Sequence, residues 1–272
     1  MRFLTRFTYP WRATSIHEWA ESCDLLLARK VGRDRAWLQP FERPQRNDLL
    51  QLDQCFDEGD ATEAIELLAA YREELKSLPP ALSLNGYFGP ADVAFYWAFI
   101  RSRRPERVIE IGSGYSSRMA LRALAKNGSG RLICIDPSPR LYLPVSNLTH
   151  IASKIEEADP GLFEDFQPHD ILFIDSSHTG AEVRNHAAIL DRLPVGALVH
   201  YHDIDYPWPR QQPDWDEDAV VAAFLDTHQN WRVLVSGSIL SRDYLSQLRA
   251  AIPSYQRIPY RRFNGLWMTK AT

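Results

Sequence analysis

The run Val108-Ile109-Glu110-Ile111-Gly112-Ser113-Gly114-Tyr115-Ser116-Ser117 decides how the chain is read. It passes from a β-rich apolar stretch into a glycine turn and then into a helical pattern. Gly112 and Gly114 permit a tight turn and close backbone approach to a ligand. The free N–H groups of the following helix start point to the same place.

Working outward, the chain alternates. Strands are predicted at 107–111, 132–135, 148–151, 171–174, 197–200, 231–235 and 266–269, and helices at 116–126, 161–166, 182–193 and 218–227. Alternation of this kind means βαβ units and a mostly parallel sheet covered on both faces. Right-handed crossovers make it doubly wound. The expected fold is therefore α/β: a Rossmann-like, doubly wound, mostly parallel sheet with an antiparallel closing strand and a helical N-terminal extension. We expect the extension at 1–80 and the ligand-binding domain at 81–272. The clearest helix of the extension is 60–77, with Asp60 as its cap and Glu63 completing a capping box. Apolar residues around Trp19, Leu25–Leu27 and Trp37 imply that the extension docks on the main domain.

The bulk properties narrow the function. The chain has 272 residues, a net charge of −4, 45% hydrophobic and 24% charged residues. That is ordinary globular composition, and a nucleic-acid binder would usually be basic. Cys23, Cys55 and Cys134 form neither a disulfide framework nor a Cys-based zinc site. No apolar run reaches the roughly 18 residues of a membrane span, and the first ten residues lack the apolar core of a signal peptide. The expected setting is cytoplasmic, with a small-molecule partner, no nucleic acid, no membrane and a possible homo-oligomer.

In open parallel sheets, ligands bind beyond the carboxyl ends of the strands, at the point where strand order reverses. The informative residues follow the strands here. A dinucleotide fingerprint wants a third glycine where Ser117 stands, which argues against a nicotinamide-dependent oxidoreductase. Glu110, just before the loop, suits a ligand carrying an ammonium, as S-adenosylmethionine does. Asp136 ends the second strand, in Asp136-Pro137-Ser138, where an acid accepts hydrogen bonds from ribose hydroxyls. The expected cofactor contacts are Glu110, Gly112, Ser113, Gly114, Ser116, Asp136, Pro137, Ser138 and Asp175.

With these residues in place, 87–269 resembles the class I S-adenosylmethionine-dependent methyltransferases. Within them it is similar to the macrocin and sugar O-methyltransferase branch. The resemblance rests on E-I-G-S-G-Y-S-S at 110–117, F-I-D-S-S-H at 173–178 and H-D-I at 202–204. It implies methyl transfer from S-adenosylmethionine to a hydroxyl of a sugar, polyketide-like or phenolic acceptor. It also implies a divalent cation, magnesium or manganese, at Asp175 and Asp203. His202 stands where metal-binding members often carry a second acid, which favours a softer ion.

Asp175, His178 and His202 are the expected catalytic residues. Either a cation lowers the pKa of the acceptor hydroxyl, or a histidine takes its proton near pH 6.5. His150, His169, His186, His200 and His228 are read as structural. Two segments are expected to wall the acceptor: Asn85–Pro90 as a flexible lid, and Tyr206–Trp215 with its prolines and tryptophans. The rival reading is a methyltransferase-like protein that binds or assembles without catalysis.

Overall fold

The structure, a computed structural model, describes residues 56–82, 85, 87–139, 147–178, 180–208, 217–257 and 263–272. Seven strands form one sheet: β1 Arg107–Ile111, β2 Arg131–Ile135, β3 Leu148–Ile151, β4 Ile171–Ile174, β5 Leu198–Tyr201, β6 Trp231–Ser236 and β7 Leu266–Lys270. Their order is β3-β2-β1-β4-β5-β7-β6. Strands β1 to β5 run parallel, and β7 runs antiparallel to both β5 and β6. This is the doubly wound sheet with an antiparallel closing strand that the alternation implies. Central strands β1, β4 and β5 are buried along their whole length. Their near-continuous apolar sequence follows from helices covering both faces.

The helices are α1 Glu58–Ala70, α2 Arg72–Lys76, α3 Pro90–Arg103, α4 Tyr115–Asn127, α5 Gly180–Arg192, α6 Glu217–Thr227, α7 Gly237–Asp243 and α8 Leu245–Ala251. Two of them differ from expectation. The helix expected from Asp60 starts one turn earlier. Asp57 is its cap and Asp60 completes the box, each side chain accepting from the other's backbone N–H at 2.9 and 3.1 Å. The early acid wins because its carboxylate reaches the free N–H groups of the first turn. The helix breaks at Tyr71 before α2 resumes. The helix expected at 161–166 is a short 3-10 turn over Pro160–Phe163.

The described part of the extension shares the main core. Phe56, Ala61, Ala64, Leu68 and Leu75 are buried in one cluster with the sheet residues. Helix α1 touches α3, β6 and α8. Arg232 on β6 pairs with Asp60 and Glu63, and Arg101 on α3 pairs with Glu74 on α2. Trp19, Leu25–Leu27, Trp37, Cys23 and Cys55 lie outside the described residues. No helix among the described residues is long and apolar enough to cross a membrane.

The chain leaves β1 towards β2 and β3 and returns to β4 on the other side of β1. Strand order therefore reverses between β1 and β4, and the register aligns Ile111 with Ile174. The next residues, Gly112 and Asp175, are in contact. Gly112 has φ +91°, and a Cβ there would sit 2.0 Å from the Asp175 carbonyl oxygen. Only glycine fits. Gly112→Ala is expected to cost about 1–3 kcal/mol from backbone strain, with the steric overlap adding to it. Urea denaturation of the variant checks this, and wild-type stability would contradict it.

Candidate active site

The glycine loop, Gly112–Gly114, is built by β1 and closed by α4. The Gly112 N–H donates to Ile135 O at 2.9 Å, which joins the loop to the end of β2. Ser113 Oγ donates to Asp136 at 2.6 Å, and the other Asp136 oxygen accepts from the Ser138 N–H at 2.8 Å. The loop and the acid at the end of β2 are thus one unit. A Cβ on Gly114 would meet nothing within 4 Å, so the loop faces open space there. Ser116 is buried in the first turn of α4, while Pro137 and Ser138 are exposed.

Glu110 requires a correction. It is wholly buried, not displayed to a ligand. Tyr96 on α3 donates to one oxygen at 2.9 Å, and Ser117 on α4 donates to the other. Ser117 Oγ in turn accepts from the Gly114 N–H at 3.0 Å. Glu110 therefore supports the loop from behind, through Ser117, with both carboxylate oxygens already engaged. The serine in place of a third glycine is explained by the same contact. Burial pushes the Glu110 carboxyl up to about 7, against the bonds from Ser117, Tyr96 and Cys134 that favour its charge. Cys134 is buried, and burial beside Glu110 pushes its thiol far above the usual cysteine range, which makes it inert.

The strand ends after β4 and β5 carry the second half of the site. Ile174 pairs with Tyr201, and the His202 N–H donates to Ile174 O at 2.9 Å. This register sets Asp175 beside His202, not directly beside Asp203 as the sequence suggests. Asp203 adopts φ +57°. That turn brings its carboxylate back to 3.5 Å from His202 Nδ1, and the same nitrogen is 3.5 Å from Asp175. On its far side, His202 Nε2 lies 3.7 Å from Asp92 of α3. His178, with φ +61°, brings Nε2 to 3.6 Å from Asp175. Its Nδ1 lies 2.7 Å from Glu217, the first residue of α6. Acids and imidazoles alternate: Glu217, His178, Asp175, His202, Asp92, with Asp203 beside His202.

The charges hold one another. Burial pushes Asp175 up, but the His202 imidazolium outweighs it and the carboxyl lies below its ordinary range. Burial depresses His202, yet Asp175 and Asp203 raise it well above the usual histidine value. Burial also depresses His178, and the bond and charge of Glu217 overcome it. Burial raises Glu217, and His178 only partly offsets that.

Asp92 and Glu217 went unnoticed in the sequence. Asp92 reads as an N-terminal helix acid, and its other oxygen does accept from the Gly89 N–H at 3.0 Å. Glu217 lies 39 residues from His178 and carries no motif. The one available signal was an acid opening a helix directly after a loop at a strand end. His186 and His200 are fully buried, on α5 and β5, and His228 stacks on Phe224 at 4.0 Å.

The lid segment is anchored, not free. Asn85 Oδ1 accepts from the N–H groups of Tyr87 and Phe88 at 2.9 and 2.8 Å. Phe88 is buried against Phe173 and His202, at 5.8 and 5.6 Å between rings. Tyr87 points outward, 59% exposed, and stacks on Tyr115 at 5.9 Å. In the second acceptor segment, Tyr206 to Trp208 is described, and Trp215 lies outside the described residues. A hollow of about 460 Å³ lined by Glu106, Arg107, Gly130, Arg131, Asp165 and Gln167 opens at the other end of the sheet, where β1 and β2 begin. None of the site groups named above lines it.

The family model described as a methyltransferase domain matches residues 109–204, which include the glycine loop and both acid–histidine strand ends. That stretch is similar to methyltransferase domains. An uncharacterized protein of Archaeoglobus fulgidus is 34% identical over 94 residues, spanning 32% of this chain and 42% of the relative. The chain therefore aligns with less than half of that relative's length. Among solved structures, an O-methyltransferase from Bacillus cereus in complex with SAH is 12% identical, with a TM-score of 0.44 over 93% of this chain and 100% of that one. The SAH-bound methyltransferase of Podospora anserina is 13% identical, with a TM-score of 0.40 over 76% of this chain and 88% of that one.

Glu110 gives a test of the loop's support. Its carboxyl rises from the ordinary 4.5 to about 7 on folding, so the folded chain binds the extra proton between those values. Its contribution to stability falls as pH rises through that window, by about 3 kcal/mol in all. Urea denaturation across the window should show the decline in wild type and a flatter profile in Glu110→Gln. Identical profiles would remove Glu110 from this account.

Proposed function

We propose that the protein transfers a methyl group from S-adenosylmethionine to a hydroxyl of a small-molecule acceptor. One observation carries the reading. The glycine loop with Asp136 and the Asp175–His178–His202–Asp203 group stand side by side where strand order reverses between β1 and β4. The open space over Gly114 and the half-exposed Asp136 carboxylate suit a nucleoside ligand.

S-adenosylmethionine supplies an activated methyl: an oxygen–carbon bond forms while the sulfur–carbon bond breaks and its electron pair stays on sulfur. The chain's own work is alignment and proton removal. Asp136 accepts from ribose hydroxyls. His178 Nε2 takes the acceptor proton. Asp175 and Asp203 stabilise the charge that forms on the imidazoles. The exposed ring of Tyr87 and the Trp208 segment offer flat apolar surface to the acceptor, as such pockets commonly do.

A second reading adds a divalent cation. Asp175, His202 and Asp203 offer one ligand atom each, all within 4.8 Å of one another. Two carboxylate oxygens and an imidazole nitrogen fit manganese better than magnesium. Such an ion would be held by these three residues and would lower the pKa of an acceptor hydroxyl.

Asp136→Ala should weaken S-adenosylmethionine binding by about 1.5–3 kcal/mol for each charge-assisted hydrogen bond lost. Titration calorimetry checks this, and unchanged affinity would remove Asp136 from the site. Methyl transfer to a panel of hydroxyl acceptors then separates the enzyme from a cofactor-binding assembly protein. Loss of turnover with chelator, restored by manganese or magnesium, selects the cation. If turnover survives chelator, the rate should rise with pH, because only the neutral imidazole accepts a proton. Its midpoint should lie above the ordinary 6.5, since Glu217 favours the charged ring. A midpoint at or below 6.5 would exclude His178 as the base.

A further inference from the structure

We propose that Glu217 is a positioning residue. It holds the neutral His178 ring in the Nδ1–H tautomer, so that the Nε2 lone pair faces the reacting hydroxyl. The inference rests on the methyl-transfer reading for its catalytic meaning, but the geometry behind it does not.

Three observations converge. Glu217 is 1% exposed, and its carboxylate lies 2.7 Å from His178 Nδ1. A long-range bond this short between a buried acid and an imidazole fixes which ring nitrogen carries the hydrogen. The other nitrogen, Nε2, points to the Asp175 side of the site, 3.6 Å from that carboxylate. Finally, His178 holds φ +61°, a conformation that L side chains rarely adopt. Such strain persists where the surroundings over-determine it, and it clusters at functional sites. The strained backbone turns the ring between Glu217 and Asp175.

The arrangement follows from the topology. His178 lies in the turn after β4, and Glu217 opens α6, whose chain arrives from β5 next to β4. Helix α6 packs on α5, which follows directly on the His178 turn. A buried acid at the start of α6 therefore meets the turn that starts α5. In hydrolases that use a Ser-His-Asp triad, a buried carboxylate sets the imidazole tautomer in the same way, and losing it costs rate more than structure.

The test reads the tautomer directly and needs no turnover. Protein labelled with 15N at histidine is studied by two-bond 15N–1H correlation at alkaline pH, where the ring is neutral. The His178 signals are assigned by their absence in His178→Ala. Wild type should show Nδ1 protonated. Glu217→Ala should move the hydrogen to Nε2, while Glu217→Gln, whose amide oxygen still accepts, should retain it on Nδ1. Nε2 protonation in wild type, or the same tautomer in wild type and Glu217→Ala, would overturn the proposal.

Kinetics gives the second arm. Glu217→Ala should lower kcat roughly tenfold or more, as loss of an oriented base does, with SAH affinity unchanged. Glu217→Gln should keep most of kcat. Glu217→Ala should cost nothing further in a His178→Ala background, because the two act as one unit. Additive losses would contradict the proposal. The predicted tautomer pattern in a protein that methylates no acceptor supports the hydrogen bond and defeats the methyl-transfer reading, so the two failures are distinguishable.

Discussion

The contact between Gly112 and the Asp175 carbonyl is the constraint on which the rest depends. Two parallel strands end side by side, and the backbone after one of them must pass over the backbone after the other. A Cβ at position 112 would stand 2.0 Å from that carbonyl oxygen. With glycine there, the loop after β1 and the turn after β4 share one small volume. The other candidate site residues are placed relative to that junction. Ser113 and Asp136 stand on one side of it, and Asp175, His178 and His202 on the other. Glu110 and Ser117 brace it from below.

The second organising feature is charge held out of water. Asp92, Glu217 and His202 are buried and Asp175 is partly exposed, and each faces a group of opposite charge. Removing an ion from water costs several kcal/mol unless a partner repays it. Alternating acids and imidazoles meets that requirement along the described part of the cluster. The aromatic column of Phe88, Tyr96, Phe173 and Trp267 behind the site keeps the local dielectric low, with successive rings 4.5 to 6.2 Å apart. Low dielectric strengthens each of these pairs and makes the unpaired state costly.

The sheet, its antiparallel closing strand and the reversal of strand order were legible in the sequence, because buried parallel strands are written as short continuous apolar runs. So was the placement of Asp136, Asp175, His178 and His202 at one edge of the sheet, since residues just after such strands must lie there. What one strand does beside another was not legible. The register that sets His202, not Asp203, against Asp175 depends on a one-residue offset between β4 and β5. Glu110 was misread because its place before the loop is visible and its inward direction is not. Inside a strand, side chains alternate between faces, and only the packing of Tyr96 and Ser117 shows which face is covered. Asp92 and Glu217 were missed for a related reason. Their partners are 110 and 39 residues away in sequence, and helix-start acids are common without a partner. Positive φ at His178 and Asp203 is likewise a property of the assembled strand ends, not of the dipeptides.

The most direct test of the central claim is a crystal structure of the protein with SAH. The account predicts the ligand over Gly112–Gly114, its ribose on Asp136 and its sulfur facing the cleft between Asp175 and His178. SAH bound elsewhere, or bound at the loop with its sulfur turned away from Asp175 and His178, would contradict it.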